Sequence, residues 1–194
     1  MNLIYGLEFN RSFKILFFSS IISSFALNGQ INKNEYSSSI DSTFVNYFAN
    51  GKPQRIQLFQ FGLLNGPSWE FHSSGQLMIH NQWSKGLRNG LELTFDQAGK
   101  KIASTSWFNG RLHGEELVYY RTGVIQKRTI WSLNVKHGIS IWYHDNSVKA
   151  AIYPYENGRI HGDVIYFDVN GKEESRKRYI NNELYTDKPD GLSG

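Results

Sequence analysis

The chain has 194 residues, of which 40% are hydrophobic and 15% aromatic, and this composition argues against an intrinsically disordered protein. It contains no cysteine, which excludes disulfides, thiolate catalysis and cysteine-ligated metals. The formal charge is +4 at pH 7, but the basic residues are spread along the chain rather than gathered in a stripe. We therefore expect no nucleic-acid partner.

The first predicted element is an export signal in residues 1–26. Arg11 and Lys14 lead into an apolar run of 13 residues, ILFFSSIISSFAL, which closes on small side chains. A cationic start, a short apolar middle and a small-residue end are typical of a signal peptide. The run is shorter than the roughly 20 residues that a membrane-spanning helix needs. We predict cleavage after Ala26; the alternatives are a buried strand and an uncleaved anchor.

The next segment, residues 27–41, is polar and predicts a flexible leader, and residues 185–194 predict a disordered tail. If residues 1–26 direct export, the mature protein is periplasmic, associated with an outer membrane, or extracellular in a bacterium.

Glycines recur at intervals of 24 residues through the remaining sequence. Of the 18 glycines, the 14 between residues 42 and 184 all fall on three series with this period. The first series is Gly66, Gly90, Gly114, Gly138 and Gly162; the second is Gly51, Gly75, Gly99, Gly123 and Gly171; the third is Gly62, Gly86, Gly110 and Gly158. Ser147 takes a place in the second series, and Asn134 and Asn182 take places in the third. Because Asn tolerates positive φ best after Gly, we predict that backbone geometry, and not reaction chemistry, explains these glycines.

Between the glycines, apolar and polar residues alternate, as around Leu117 and Tyr119. Alternation over such short runs predicts strands that are half-buried on one face. A ladder of large aromatic residues also repeats every 24 positions: Phe59, Trp83, Trp107, Trp131, Tyr155 and Tyr179. We predict an all-β fold over residues 42–184: an elongated single antiparallel β-meander sheet of about six stacked 24-residue hairpin repeats, flat or curled.

The phrase "NGRLHGEELVYYRTG" at 109–123 recurs as "NGRIHGDVIYFDVNG" at 157–171, and this unit resembles the MORN repeat. The 24-residue period is similar to that of bacterial MORN-variant hairpins of the type associated with antitoxins. The resemblance covers residues 42–184 and implies an antiparallel sheet with a role in binding or assembly. It carries no shared catalytic residues.

Three residues on the first strands of successive repeats are candidates for partner binding: Val118, Trp142 and Tyr166. They occupy one position of the 24-residue repeat, and such a position is called a lattice position below. The same lattice position holds Glu70 and Thr94 in earlier repeats, so it changes from polar to apolar and aromatic toward the C-terminus. Aromatic side chains on a sheet face are typical anchors for partners. The alternative is ordinary packing within the sheet.

His113, His137 and His161 share one lattice position, which suggests a metal site at first sight. Successive repeats lie two strands, or about 10 Å, apart, so these side chains cannot ligate one zinc ion. There is also no nucleophile motif and no phosphate-binding loop. We expect no metal, no cofactor and no enzyme activity.

The sequence therefore predicts an exported, non-enzymatic repeat module that mediates protein–protein interaction or assembly in the cell envelope. The partner's identity is open. The alternatives are a module that binds a membrane-lipid headgroup or a glycan, an antitoxin or immunity protein, and self-association through the sheet face.

Overall fold

The computed structural model describes residues 13–15 and 41–186. The described chain falls into two compact units, one formed by residues up to 88 with 97–99, and the other by residues 89–96 with those from 100 onward. Both units are built from antiparallel strands joined in chain order, and the described residues contain no helix. The predicted all-β antiparallel meander is thus confirmed.

The first unit contains six strands. They are β1 (Phe13–Ile15), β2 (Ser42–Tyr47), β3 (Pro53–Gln60), β4 (Leu63–Phe71), β5 (Leu77–Ser84) and β6 (Leu87–Arg88). Strand β1 lies inside the predicted export signal and pairs with β2. The rest of that segment lies outside the described residues, as do residues 27–40 of the leader and 187–194 of the tail, so these three assignments stay predictions.

The second unit contains eleven strands. They are β7 (Gly90–Phe95), β8 (Lys101–Phe108), β9 (Arg111–Tyr119), β10 (Ile125–Ser132), β11 (Val135–Lys136), β12 (Gly138–Tyr143), β13 (Lys149–Glu156), β14 (Arg159–Ile160), β15 (Gly162–Phe167), β16 (Glu173–Ile180) and β17 (Glu183–Leu184). The two-residue strands β11, β14 and β17 pair with the ends of β10, β13 and β16.

Two kinds of turn alternate along the meander. Asn109 and Gly110, between β8 and β9, have φ of 48° and 76°, which is the two-residue type I′ turn that suits the twist of paired strands. At the other end of the hairpins, Gly123 has φ of 90° and closes a three-residue loop in which its N–H donates to the Tyr120 carbonyl. All fourteen lattice glycines have positive φ, and so do Ser147, Asn134 and Asn182 in the places that glycine leaves.

Asn at a glycine position adds a contact that glycine cannot make. The Asn134 N–H donates to the Leu112 carbonyl at 2.9 Å, and the Asn134 side-chain oxygen accepts from the Leu112 N–H at 2.7 Å. Asn182 makes the same two bonds to Ile160. These reciprocal bonds join the turns of neighbouring repeats, so Asn supplies both the left-handed backbone and a link along the array.

The two units bury their apolar residues differently. In the first unit, one sheet face forms a core of Val45, Ile56, Leu58, Trp69 and Phe71, with Tyr47 and Leu77 packed against it. The equivalent positions of the second unit are only half-buried; they are Leu93, Leu117, Ile141 and Ile165. In the second unit, the buried positions on the opposite face are Ala151, Thr129, Ser140 and Val164.

Candidate functional site

Val118, Trp142 and Tyr166 lie in one row on a single face of the second unit. Strand register defines the row, because Val118 pairs with Lys127, Lys127 with Trp142, Trp142 with Ala151 and Ala151 with Tyr166. Directly paired residues in a sheet point to the same side. We call this side of the second unit the aromatic face.

Trp142 is the most accessible member of the row, with 43% of its surface exposed. The Lys127 ammonium lies 5.7 Å from the centre of its ring, and the same ammonium lies 3.4 Å from Glu116. Glu116 also accepts from the indole N–H of Trp131 at 3.3 Å. Trp142 is therefore flanked by a polar network that is itself tied to the aromatic ladder.

Tyr166 departs from the expectation of an exposed aromatic pair. It is half-buried, its hydroxyl lies 3.0 Å from that of Tyr153, and the two rings meet edge to face at 6.0 Å. Partial burial, reinforced by the hydrogen bond to Tyr166, raises the pKa of Tyr153 to about 12. Tyr166 thus belongs to the packing of the face. Val118 is half-buried as well, so Trp142 is the exposed member of the row.

Ala151 separates the two aromatic residues of the row. It pairs with Trp142 on one side and Tyr166 on the other, and only 5% of its surface is exposed. Because alanine has no side chain beyond Cβ, the two neighbouring rings shield it.

A second row on the aromatic face comes from the ladder of large aromatic residues. Each lies directly opposite a first-series glycine: Trp107 opposite Gly90, Trp131 opposite Gly114, Tyr155 opposite Gly138 and Tyr179 opposite Gly162. An aromatic ring covers backbone that a cross-strand glycine leaves bare. The glycine series and the aromatic ladder are therefore two sides of the same contact.

Lys136 lies between two members of this ladder. It pairs with Trp131, and its ammonium lies 5.7 Å from the centre of the Trp131 ring and 5.0 Å from that of Tyr155. Sequence analysis did not identify this arrangement, because it depends on the pairing of Lys136 with Trp131, and β11 is separated from β12 by one residue, His137. Alignment of the repeats would have singled out Lys136 in one way: it is charged, whereas the equivalent residues in the flanking repeats are the aliphatic Leu112 and Ile160.

The opposite side of the second unit, called the aliphatic side for Leu93, Leu117, Ile141 and Ile165, also carries Tyr119 and its own ion pairs. Arg128 bonds to Glu115, and Arg176 bonds to Asp163 at 3.1 Å and Glu173 at 2.9 Å. The Arg176 side chain also lowers the pKa of the Glu173 carboxyl. These charges sit at the margins of the half-buried aliphatic columns.

The lattice histidines His113, His137 and His161 are exposed. His161 is 4.0 Å from Glu156, and His113 lies beside the Phe108 ring at 5.7 Å. Across the described residues no three His, Cys, Asp or Glu side chains are grouped to hold a metal ion. A cavity of about 310 Å³ lies at the last hairpin and is lined by His161, Gly162, Arg178, Tyr179, Ile180 and Tyr185.

A family model for the MORN repeat variant matches residues 112–131 and 136–157. These two segments are therefore similar to MORN repeats. The resemblance drawn from the repeated phrase is confirmed here, and the matched segment contains Val118, Trp142 and Lys136. MORN repeats are generally modules that interact with proteins or membranes. No match was found among the curated proteins.

Two solved structures also align with this chain. The crystal structure of TarM is 17% identical with a TM-score of 0.36, and the alignment covers 66% of this chain and 21% of TarM. A crystal structure of an S. aureus TarM mutant in complex with Fondaparinux, alpha-GlcNAc-glycerol and UDP is 12% identical with a TM-score of 0.33, covering 79% of this chain and 30% of that one. The chain spans less than a third of the length of either structure.

In the part of the chain described here, no helix is long and apolar enough to cross a membrane.

Proposed function

We propose that the protein is an exported, non-catalytic interaction module, and that the aromatic face of its second unit holds a protein partner in the cell envelope. The repeated residues are accounted for by backbone geometry and stacking, which leaves the residues that depart from the repeat to carry function. Export is supported by the cationic start and short apolar run of residues 1–26.

One observation carries the assignment of the face. Trp142 exposes 43% of its surface at a lattice position that is polar in earlier repeats. Tryptophan is prominent among the residues that dominate binding energy, because its large ring buries much area at a small cost in side-chain entropy. Lys127 beside the ring adds a polar group at the rim of the contact.

The matched pair of variants is Trp142→Thr and Ile139→Thr. Both residues are on β12 and similarly exposed, 43% and 51%, but they lie on opposite faces. The partner is first captured from the native envelope with the mature protein and identified by mass spectrometry. Its affinity for the purified variants is then measured. We expect Trp142→Thr to weaken binding by at least about 2 kcal/mol, or roughly 30-fold, and Ile139→Thr to leave it unchanged.

A loss of binding in Ile139→Thr with none in Trp142→Thr would move the interface to the aliphatic side. Liposome sedimentation with the same two variants tests the lipid alternative. If vesicles, and no protein, are bound in a Trp142-dependent way, the face is a lipid-binding surface instead.

Export is tested independently of binding. We expect the protein purified from its native envelope to begin near Leu27 when its N-terminus is sequenced. A product that keeps Met1 and stays in the cytoplasm contradicts the proposed location.

A further inference from the structure

Lys136 occupies a position that the repeat otherwise gives to aliphatic residues on either side. The equivalent residues are Leu112, which pairs with Trp107, and Ile160, which pairs with Tyr155. An aliphatic residue at position 136 would fill the same space against the aromatic ladder. The packing of the two flanking repeats therefore does not require a lysine, although Arg88 occupies the same repeat position over Trp83.

The Lys136 ammonium has aromatic neighbours and no acidic one. It is half-buried between the rings of Trp131 and Tyr155, at 5.7 and 5.0 Å, and it forms no ion pair with any described residue. Lys127, which lies on the same face, is already paired with Glu116 at 3.4 Å. Ring faces attract a cation, but they do not neutralise its charge. The Lys136 ammonium is thus available to pair with an anionic group of a ligand.

The rings around Lys136 belong to a line that crosses the strands. Trp131, Tyr155 and Tyr179 lie on β10, β13 and β16, each two long strands from the next, which corresponds to about 10 Å per step. Lys177 is exposed on the same face, on β16 opposite Val164. A line of evenly spaced rings, with the Lys136 ammonium between the first two and the exposed Lys177 on the last strand, suits a linear ligand that carries both flat apolar surfaces and negative charges.

We propose that this line, from Trp131 and Lys136 to Tyr155 and Tyr179, binds an acidic polysaccharide, with a sugar carboxylate at the Lys136 ammonium and the apolar faces of sugar rings against the aromatic side chains. The site goes beyond the proposed protein contact and does not depend on it, because it uses the aromatic ladder and Lys136 rather than Trp142.

The chemistry of the face favours this ligand over other polyanions. A single-stranded nucleic acid carries a phosphate at every step and is held by several cations along its track. Lys127 is compensated by Glu116, so the face offers fewer free cations than such a track needs. A bilayer is engaged by apolar side chains that protrude into it, whereas Trp131 and Tyr155 lie half-buried within a sheet face.

The test uses the full-length folded protein and two polymers with one backbone. The probe is polygalacturonate, which carries a carboxylate on each sugar, and its reference is the fully methyl-esterified polymer, which carries none. We expect calorimetry or affinity electrophoresis to detect binding of polygalacturonate and a loss of at least tenfold in affinity for the ester. Added salt is expected to weaken the first interaction, because its ion pairing is exposed to screening.

The matched variants are Lys136→Leu and Lys101→Leu. Both lysines sit over an aromatic ring in the second unit, but Lys101 lies 4.3 Å from the Tyr119 ring on the aliphatic side. Lys136→Leu installs the residue found at the equivalent position 112, so the fold is expected to persist. We expect Lys136→Leu to lose at least tenfold in affinity for polygalacturonate and Lys101→Leu to keep it.

Lys136→Arg keeps the proposal testable if the leucine variant fails to fold. Arg88 occupies the equivalent position over Trp83, at 5.7 Å, so arginine fits this place and is expected to retain binding. The proposal is overturned if the folded protein ignores polygalacturonate, if Lys101→Leu and Lys136→Leu lose affinity equally, or if polyuridylate or anionic vesicles bind more tightly than polygalacturonate. Trp142→Thr is expected to bind polygalacturonate normally, so failure of the protein contact and failure of this site are distinguished.

Discussion

Gly114 lies directly opposite Trp131 in the pairing of β9 with β10. Gly114 has φ of 97°, and a Cβ added there would meet the Ser106 Cβ at 3.2 Å. Two independent constraints therefore exclude larger residues at this position: left-handed backbone, and close approach of the neighbouring strand. The same glycine exposes backbone that the Trp131 ring covers, which explains why the glycine series and the aromatic ladder share one period.

These two constraints can be separated by comparing two glycines of the same series. Gly138 also has positive φ, 70°, but a Cβ there would meet nothing within 4 Å. We expect Gly138→Ala to lower the free energy of unfolding by about 1–2 kcal/mol, mainly through backbone strain. Gly114→Ala is expected to lower it further, because Ser106 must also move. Urea unfolding of the two variants measures the difference. Equal losses would mean that the Ser106 contact relaxes without cost.

Gly123 tests positive φ in the absence of any steric contact. It has φ of 90°, a Cβ there would meet nothing within 4 Å, and Ser147 holds the equivalent place with φ of 70°. We expect Gly123→Val to lose about 1–3 kcal/mol of stability and Gly123→Asn to lose less, since Asn adopts left-handed backbone more readily. Thermal melts suffice for the comparison. Identical losses for Val and Asn would contradict the argument from φ.

Much of the fold could be predicted because most positions with left-handed backbone are occupied by glycine, so they are visible in the sequence. The position before each third-series glycine is not visible in this way. Phe61, Lys85 and Leu133 stand there with φ of 50°, 49° and 50°, although other repeats use Asn. A strained position can be occupied by any residue when the turn around it is fixed by the strands, so composition does not reveal it.

The candidate site could be predicted only as a row of residues. Val118, Trp142 and Tyr166 share a lattice position, and the structure places them on one face. The bond between the Tyr166 and Tyr153 hydroxyls could not be foreseen, because Tyr153 belongs to a different lattice position. Such contacts depend on side-chain directions across a strand pair, which a repeat alignment does not contain.

Phe61 is expected to weaken the fold that contains it. It is the first residue of a type I′ turn, with φ of 50°, and 85% of its surface is exposed. Asn109, Asn157 and Asn181 take the equivalent place in other repeats. Replacing Phe61 by Asn should therefore relieve strain without losing buried area, and we expect a gain of about 1 kcal/mol, or roughly 2–4 °C in Tm.

The reverse change in the second unit serves as the control. Asn109 has φ of 48°, and Asn109→Phe is expected to lose about as much stability as Phe61→Asn gains. Calorimetric melts of both variants provide the measurement. A lower Tm for Phe61→Asn would show that the Phe61 ring makes a stabilising contact that outweighs the strain of its backbone.

The Tyr153–Tyr166 pair predicts a loss of stability at alkaline pH. Partial burial and the hydrogen bond to Tyr166 raise the pKa of Tyr153 to about 12, whereas an unfolded tyrosine titrates near 10. Because the folded pKa is the higher one, the unfolded state releases its proton first as pH rises. The stability that this pair contributes to the folded state is fully present below about pH 10 and is lost between about pH 10 and 12.

Tyr166→Phe removes the hydroxyl that bonds to Tyr153 while keeping the ring that meets it edge to face. The pKa of Tyr153 should then fall toward that of an ordinary tyrosine, because only the contribution of burial and more distant charges remains. Tyrosinate difference spectra, taken against the corresponding Tyr153→Phe proteins to isolate one group among the 11 tyrosines, report that pKa directly. Urea unfolding at a series of pH values should show a smaller alkaline loss of stability in Tyr166→Phe than in the unmodified protein. If both proteins lose stability alike above pH 10, the hydroxyl pair is not what links this face to pH, and another tyrosine must be responsible.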